Sequence, residues 1–134
     1  MTDFAKVKNG MVIDIIVAEQ DFIDNLPVEE NVEWVQSDLM TYHNRHYGSD
    51  GKPDGGTPLR GNFAIIGGIY DKEKDIFCEA KPGIDWTLDE YLEWQPPIPY
   101  PMNNDEVQNF DVSYFWDDDL YQKDNTKGWV SADI

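Results

Sequence analysis

The chain has 134 residues, about the size of one ordinary domain, and carries 10 basic against 27 acidic side chains for a net charge of −17. A surface this negative repels phosphate backbones and anionic membranes, which excludes nucleic acid and lipid as partners. The acidity is spread along the whole length and is expected to serve solubility and resistance to self-association; cation or basic-partner binding is the alternative use.

Phe4–Lys8 alternates apolar and polar, Asn9-Gly10 supplies the two positive-φ residues of a tight type I′ turn, and Met11–Val17 is rich in β-branched residues. This predicts a β-hairpin at the centre of the core. The stretch from Ala18 to Leu26 places Phe22, Ile23 and Leu26 at helical spacing with acids early in the segment, and Pro27 bars continuation. A helix of about two turns is too short to stand alone, so its apolar face is expected to pack on the hairpin. Val32–Gln36 reads as a third strand and Leu39–Tyr42 as a fourth.

Residues 48–58 are dominated by Gly, Pro, Asp and Ser and predict a long exposed loop, either functional or mobile. The apolar run Leu59–Tyr70 follows, and its Gly67-Gly68 pair predicts a bulge or a close approach by another part of the chain. A loose pattern of aromatic, acidic stretch and aromatic is then written three times. It reads Tyr70 to Phe77, Trp86 to Trp94, and Trp116-Asp117-Asp118-Asp119-Leu120-Tyr121 running on to Trp129. Each reads as a hairpin unit, and Lys81-Pro82-Gly83 and Gln95 to Pro101 read as stiff proline spacers. Arrays of this kind hold partners more often than they catalyse.

Cys78 is the sole cysteine, so no intrachain disulfide forms, and a partly buried thiol is expected there. The stretch Met1–Lys6 lacks the basic and apolar regions of a secretory signal, and no apolar segment reaches membrane-spanning length. His43, His46, Asp50 and Asp54 are the candidates for a metal site. They lack the HExxH arrangement and EF-hand spacing, as do the carboxylates of Asp117, Asp118, Asp119 and Asp124, so no metal and no cofactor are expected. Carboxylate pairs beside tryptophans are too numerous to single out a glycosidase pair, and the serine elbow, phosphate loop and dinucleotide fingerprint are missing from the sequence. No catalytic residue is assigned and a non-enzymatic role is expected.

Tyr70, Trp86, Trp94, Trp116 and Trp129 are the candidate binding residues, with Tyr91, Tyr100 and Tyr121 as further flat faces a sugar could stack on. The competing use of these rings is as each hairpin's own core, since a small hairpin with few aliphatics relies on cross-strand aromatic pairs.

The strings Phe4-Ala5-Lys6-Val7, Val17-Ala18-Glu19-Gln20-Asp21-Phe22-Ile23, His46-Tyr47-Gly48, Asp50-Gly51-Lys52-Pro53-Asp54-Gly55-Gly56 and Leu59-Arg60-Gly61-Asn62-Phe63-Ala64 resemble small proteins of marine T4-like tailed bacteriophages of the cyanophage type. The resemblance runs from about residue 4 to about residue 101 and departs at Tyr42–Arg45 and Cys78–Ala80. It implies a virion-associated protein.

The expected fold is therefore mainly β: an N-terminal hairpin with one short helix and additional strands over 1–66, followed by hairpin repeats with proline-rich spacers over 67–134. The expected role is a non-enzymatic accessory or structural phage protein making protein contacts or self-associating, with a host-surface glycan module as the alternative. Synthesis in the host cytoplasm and residence in the virion are the expected locations.

Overall fold

The computed structural model describes residues 1–101 and 112–133; the rest of the region read as repeats, 102–111 and 134, lies outside the described residues. The fold is mainly β, as expected from sequence, with two short helices among the described residues. Two compact units emerge, one of residues 1–80 with 89–93 and the other of 81–88 with 94–134.

The first unit is built on the predicted hairpin. Strands β1 (Thr2–Lys8) and β2 (Met11–Ala18) are antiparallel, and Asn9 and Gly10 turn between them at φ +52° and +82°. Both values lie in the region that a type I′ turn demands and that Asn and Gly adopt most readily. The ladder runs from Thr2↔Ala18 to Lys6↔Asp14, then slips, and resumes with Val7↔Val12. Ile13 is the extra residue of this β-bulge, and it reverses the inside–outside alternation of β2. Val12 and Ile15, three positions apart, consequently serve the same apolar cluster.

Strand β3 (Val32–Ser37) pairs antiparallel with the other edge of β1, as the β-prone run Val32–Gln36 predicts. Helix α1 (Gln20–Asp24) is shorter than the predicted Ala18–Leu26 segment, and Glu19 at its N-cap makes no side-chain capping bond. Ile23 and Leu26 pack inward, but Phe22 points outward and is 56% exposed. Little more than one turn presents only a narrow inward stripe, and Phe22 lies beside it. The expected fourth strand shrinks to β4 (Thr41–Tyr42), which pairs with β5 (Arg45–His46). Asp38 is the reason: its carboxylate accepts the Met40 N–H at 2.9 Å and its carbonyl accepts the Thr41 N–H, folding Leu39 and Met40 into a turn.

The apolar run after residue 58 becomes strand only at β6 (Ile69–Asp71), which pairs with β7 (Ile76–Cys78) and joins β2 at Met11↔Ile69. The glycine pair does mark a close approach. Gly67 donates to the Val12 carbonyl, Val12 donates to the Gly68 carbonyl, and a Cβ on Gly68 would lie 3.1 Å from the Ile65 carbonyl oxygen. The sheet order is thus β3-β1-β2-β6-β7, and the Tyr70–Phe77 hairpin, first of the three aromatic segments, belongs to it.

This sheet buries apolar side chains in two clusters. Ala5, Val7, Val12, Val35, Ala64, Tyr70 and Phe77 form one, with Ile15 packed against it. Phe4, Ala18 and Ile23 form the other, joined by Ile16, Leu26 and Trp34. Neighbouring residues of β1 serve different clusters because successive side chains point to opposite faces of a strand.

The other two aromatic segments, of which residues 89–93 belong to the first unit and the rest to the second, use different connections. Trp86 to Trp94 contains only the two-residue ladder of β8 (Thr87–Leu88) with β9 (Trp94–Gln95). The third segment is β10 (Val112–Trp116), helix α2 (Asp118–Lys123) and β11 (Trp129–Asp133), so its second arm is Trp129 and its acidic stretch opens a helix instead of turning a hairpin. Asp117 caps that helix by accepting the Leu120 N–H, and Asp118 and Asp119 sit in the first turn, where the helix dipole favours negative charge.

Truncating Phe77, 2% exposed in the first cluster, is expected to lower the unfolding free energy by about 3–5 kcal/mol. Phe22→Ala is expected to stay within about 0.5 kcal/mol of the parent. Urea denaturation of the two variants checks the pair, and equal effects would contradict the placement of α1.

Candidate functional site

Of the aromatic residues singled out by sequence Tyr70 is buried, the four tryptophans are partly buried, and most pack against other rings. Tyr70 is 9% exposed, packs its ring 5.2 Å from that of Phe77, and donates its hydroxyl to Asp75 Oδ1 at 2.6 Å. Asp75 also receives the Arg60 Nε at 2.9 Å. Burial raises the Tyr70 phenol above its ordinary value, while the Tyr70 hydrogen bond holds the Asp75 carboxyl low.

Trp86, Trp116 and Trp129 gather into one nucleus of the second unit. Their centroids lie 5.6, 6.0 and 5.2 Å apart in edge-to-face arrangements, the favourable geometry for aromatic quadrupoles. Trp129 Nε1 donates to the Ile98 carbonyl at 2.8 Å and Trp116 Nε1 to Asp118 Oδ1 at 3.1 Å. Tyr100 stands edge-on to Trp129 and Tyr121 packs on Trp116. Trp94 is half-buried beneath Lys81, whose ammonium lies 5.8 Å from the ring centroid.

Of the residues considered for metal binding, His46 and Asp54 pair with each other, while His43 takes other partners. His46 Nδ1 lies 2.8 and 2.9 Å from the two oxygens of Asp54, and Nε2 lies 3.3 Å from Asp38 Oδ2. Asp54 additionally accepts the Gly56 N–H, so the imidazole ties the 48–58 loop to β5. The Asp54 hydrogen bond raises the His46 pKa; the Gly56 N–H, followed by His46, lowers that of Asp54. His43 instead places Nδ1 2.9 Å from the Tyr91 carbonyl and 3.5 Å from Glu93. Among the described residues no group of three or more His, Cys, Asp or Glu is placed to hold one metal ion. Cys78 is buried, and burial pushes its thiol up, away from the reactive thiolate.

A different part of the first unit brings surface groups together. Tyr42, His43, Asn44 and Arg45 form a two-residue hairpin in which His43 and Asn44 adopt φ +49° and +63°. Tyr42 and Arg45 are direct cross-strand partners, so their side chains leave the same face of the hairpin. The hairpin tip is held by two other loops. Asn62 Oδ1 accepts the His43 N–H at 2.7 Å, the Gly61 carbonyl accepts the Asn44 N–H at 2.6 Å, and Asn44 Nδ2 donates to the Glu90 carbonyl at 3.0 Å. Asp89 closes the 89–93 loop by accepting the N–H groups of Tyr91 and Glu93.

The Arg45 guanidinium stacks 4.8 Å from the centroid of Tyr91, and Tyr42 stacks on Phe63 with its other neighbour, His43, edge-on. Tyr42 is 49% and Tyr91 41% exposed. The junction is conformationally demanding, since Arg60 (+52°) and Leu92 (+58°) also adopt positive φ and Gly61 (+75°) has no room for a Cβ against Leu92. Sequence reasoning did not single out Tyr42 and Arg45. The available signal was His43-Asn44, two residue types tolerant of positive φ placed between an aromatic and a cation.

No family model, curated protein or solved structure matches this chain. No helix among the described residues is long and apolar enough to cross a membrane.

The His46–Asp54 tie carries a pH signature. Raised from 6.5, His46 contributes stabilisation that is complete below that value and is lost as pH rises through the folded-state pKa. Lowered from 3.8, Asp54 contributes stabilisation present above that value and lost as pH falls through its own folded-state pKa. Protection of the Gly56 amide, corrected for intrinsic exchange, is therefore expected to be highest between 3.8 and 6.5 and to fall on both sides. Hydrogen exchange read by NMR checks this, with Asp54→Asn expected to flatten the profile.

Proposed function

We propose that the protein is a non-enzymatic accessory or structural component of a tailed-phage particle, made in the host cytoplasm and working by protein contacts or self-association. The observation that carries this reading is the packing of Trp86, Trp116 and Trp129 on one another, with Tyr70 in the core of the first unit. Rings used this way support folding and are not free as sugar platforms, which favours a structural role over a glycan module built on these residues. The resemblance of the N-terminal strings to marine phage proteins supplies the particle.

Exposed apolar side chains on the first unit, among them Val17 at 59%, Leu39 at 66% and Ile66 at 66%, offer contact area for partner proteins. A charge of −17 keeps unassembled copies apart in solution.

Mass spectrometry of purified virions tests the proposal. Peptides of this chain are expected in the particle in stoichiometric amounts, and their absence from particles of an infection that expresses the protein would overturn it.

A further inference from the structure

Three flat, exposed groups lie close together on the first unit. Tyr42 and Arg45 leave the same face of the β4–β5 hairpin, and Arg45 lies over Tyr91. Tyr42 has Phe63 stacked on it and His43 edge-on at 3.8 Å, Tyr91 has Arg45 over its ring, and both tyrosines remain more than 40% exposed. Their hydroxyls make no hydrogen bond among the described residues, and neither does the Arg45 guanidinium, although the chain carries 27 acidic side chains. Arg60, in contrast, is paired with Asp75 and with the Gln36 carbonyl. An arginine stacked on an aromatic face retains five in-plane N–H donors.

We infer that Tyr42, Arg45 and Tyr91 form a binding platform for a neutral carbohydrate. The apolar C–H face of a sugar ring lies on an exposed aromatic face, which is flat, rigid and cheap in conformational entropy. Sugar hydroxyls both donate and accept, and the platform supplies both complements: Arg45 donates, while Glu93, 53% exposed beside His43, accepts. A neutral ligand suits the surroundings, because a net charge of −17 opposes the approach of an acidic sugar.

The platform is also held in place. His43, Asn44, Arg60 and Leu92, four non-glycine residues at positive φ, meet at the junction of the 42–45, 60–62 and 89–93 loops. Strained backbone of this kind persists where surrounding structure over-determines it, and here it aims Tyr42 and Tyr91 from two different loops. Of these residues only Tyr91 is among the sugar-stacking candidates of the sequence, Tyr42 and Arg45 are not, and the platform is independent of whether the protein resides in a virion.

The test is an NMR titration of the full-length, isotope-labelled chain with neutral hexose trisaccharides of glucose, mannose and galactose. At least one is expected to bind in the millimolar range, shifting amides in 42–45, 60–62 and 89–93. Tyr42→Ala and Tyr91→Ala are each expected to weaken binding roughly tenfold, Tyr91→Phe to retain most of it, and Tyr100→Ala to leave it unchanged. Unaltered amide spectra away from the three loops establish that the variants fold. No binding by any trisaccharide, shifts confined to other residues, or a response to proline-rich peptide in place of sugar would each overturn the inference.

Discussion

The register between β1 and β2 is the constraint from which the rest of the first unit follows. Asn9 and Gly10 set the pairing, and the bulge at Ile13 then exchanges the faces of β2. Without that extra residue, Val12 and Ile15 could not both face Ala5 and Val7, while Ile16 and Ala18 face α1 and Trp34. The sheet would have one apolar face and one mixed face. With it, each face holds a coherent cluster, so α1 and the 60–78 segment each have an apolar surface to cover. The three-loop junction in turn depends on Asn62 and Gly61, which that covering segment delivers to the hairpin tip.

The acidic composition has a structural use beyond solubility. Asp38, Asp50, Asp54, Asp89 and Asp124 each accept a backbone N–H two residues further on. Asp117 does the same for a helix N-terminus and Asp14 for its immediate neighbour. In a chain with short strands and many connections, these carboxylates satisfy main-chain donors that a longer ladder would otherwise bind. Part of the negative charge is therefore placed where turns occur, at points spread along the sequence.

What was legible in the sequence was whatever local chemistry decides. Asn9-Gly10 specified a hairpin and Val32–Gln36 a strand, both present, and of the bulge or close approach expected at Gly67-Gly68 the structure has the close approach. Longer stretches are less legible, because local side-chain competition and tertiary packing intervene. Asp38 diverted Leu39 and Met40 from a strand, and Asp117 capped a helix where an aromatic-flanked acidic stretch suggested a turn. The candidate platform was hidden for a third reason: Tyr42 and Arg45 meet Tyr91 from two loops far apart in sequence, and no periodicity encodes such a meeting. The tryptophans drew attention by their number, yet number predicts packing better than it predicts availability.

The first unit borrows five residues from beyond its own end. The chain leaves it after Ala80 and later lends it residues 89–93, which hold Asn44 through Glu90 and fill the space beside Gly61 with Leu92. Modularity is lost as a result. A gene fragment ending at Ala80 would encode the whole five-stranded sheet but leave the hairpin tip uncovered, and recombination at that point would separate Tyr42 and Arg45 from Tyr91. The two halves of this chain are inherited together or the surface that joins three of its loops is not inherited at all.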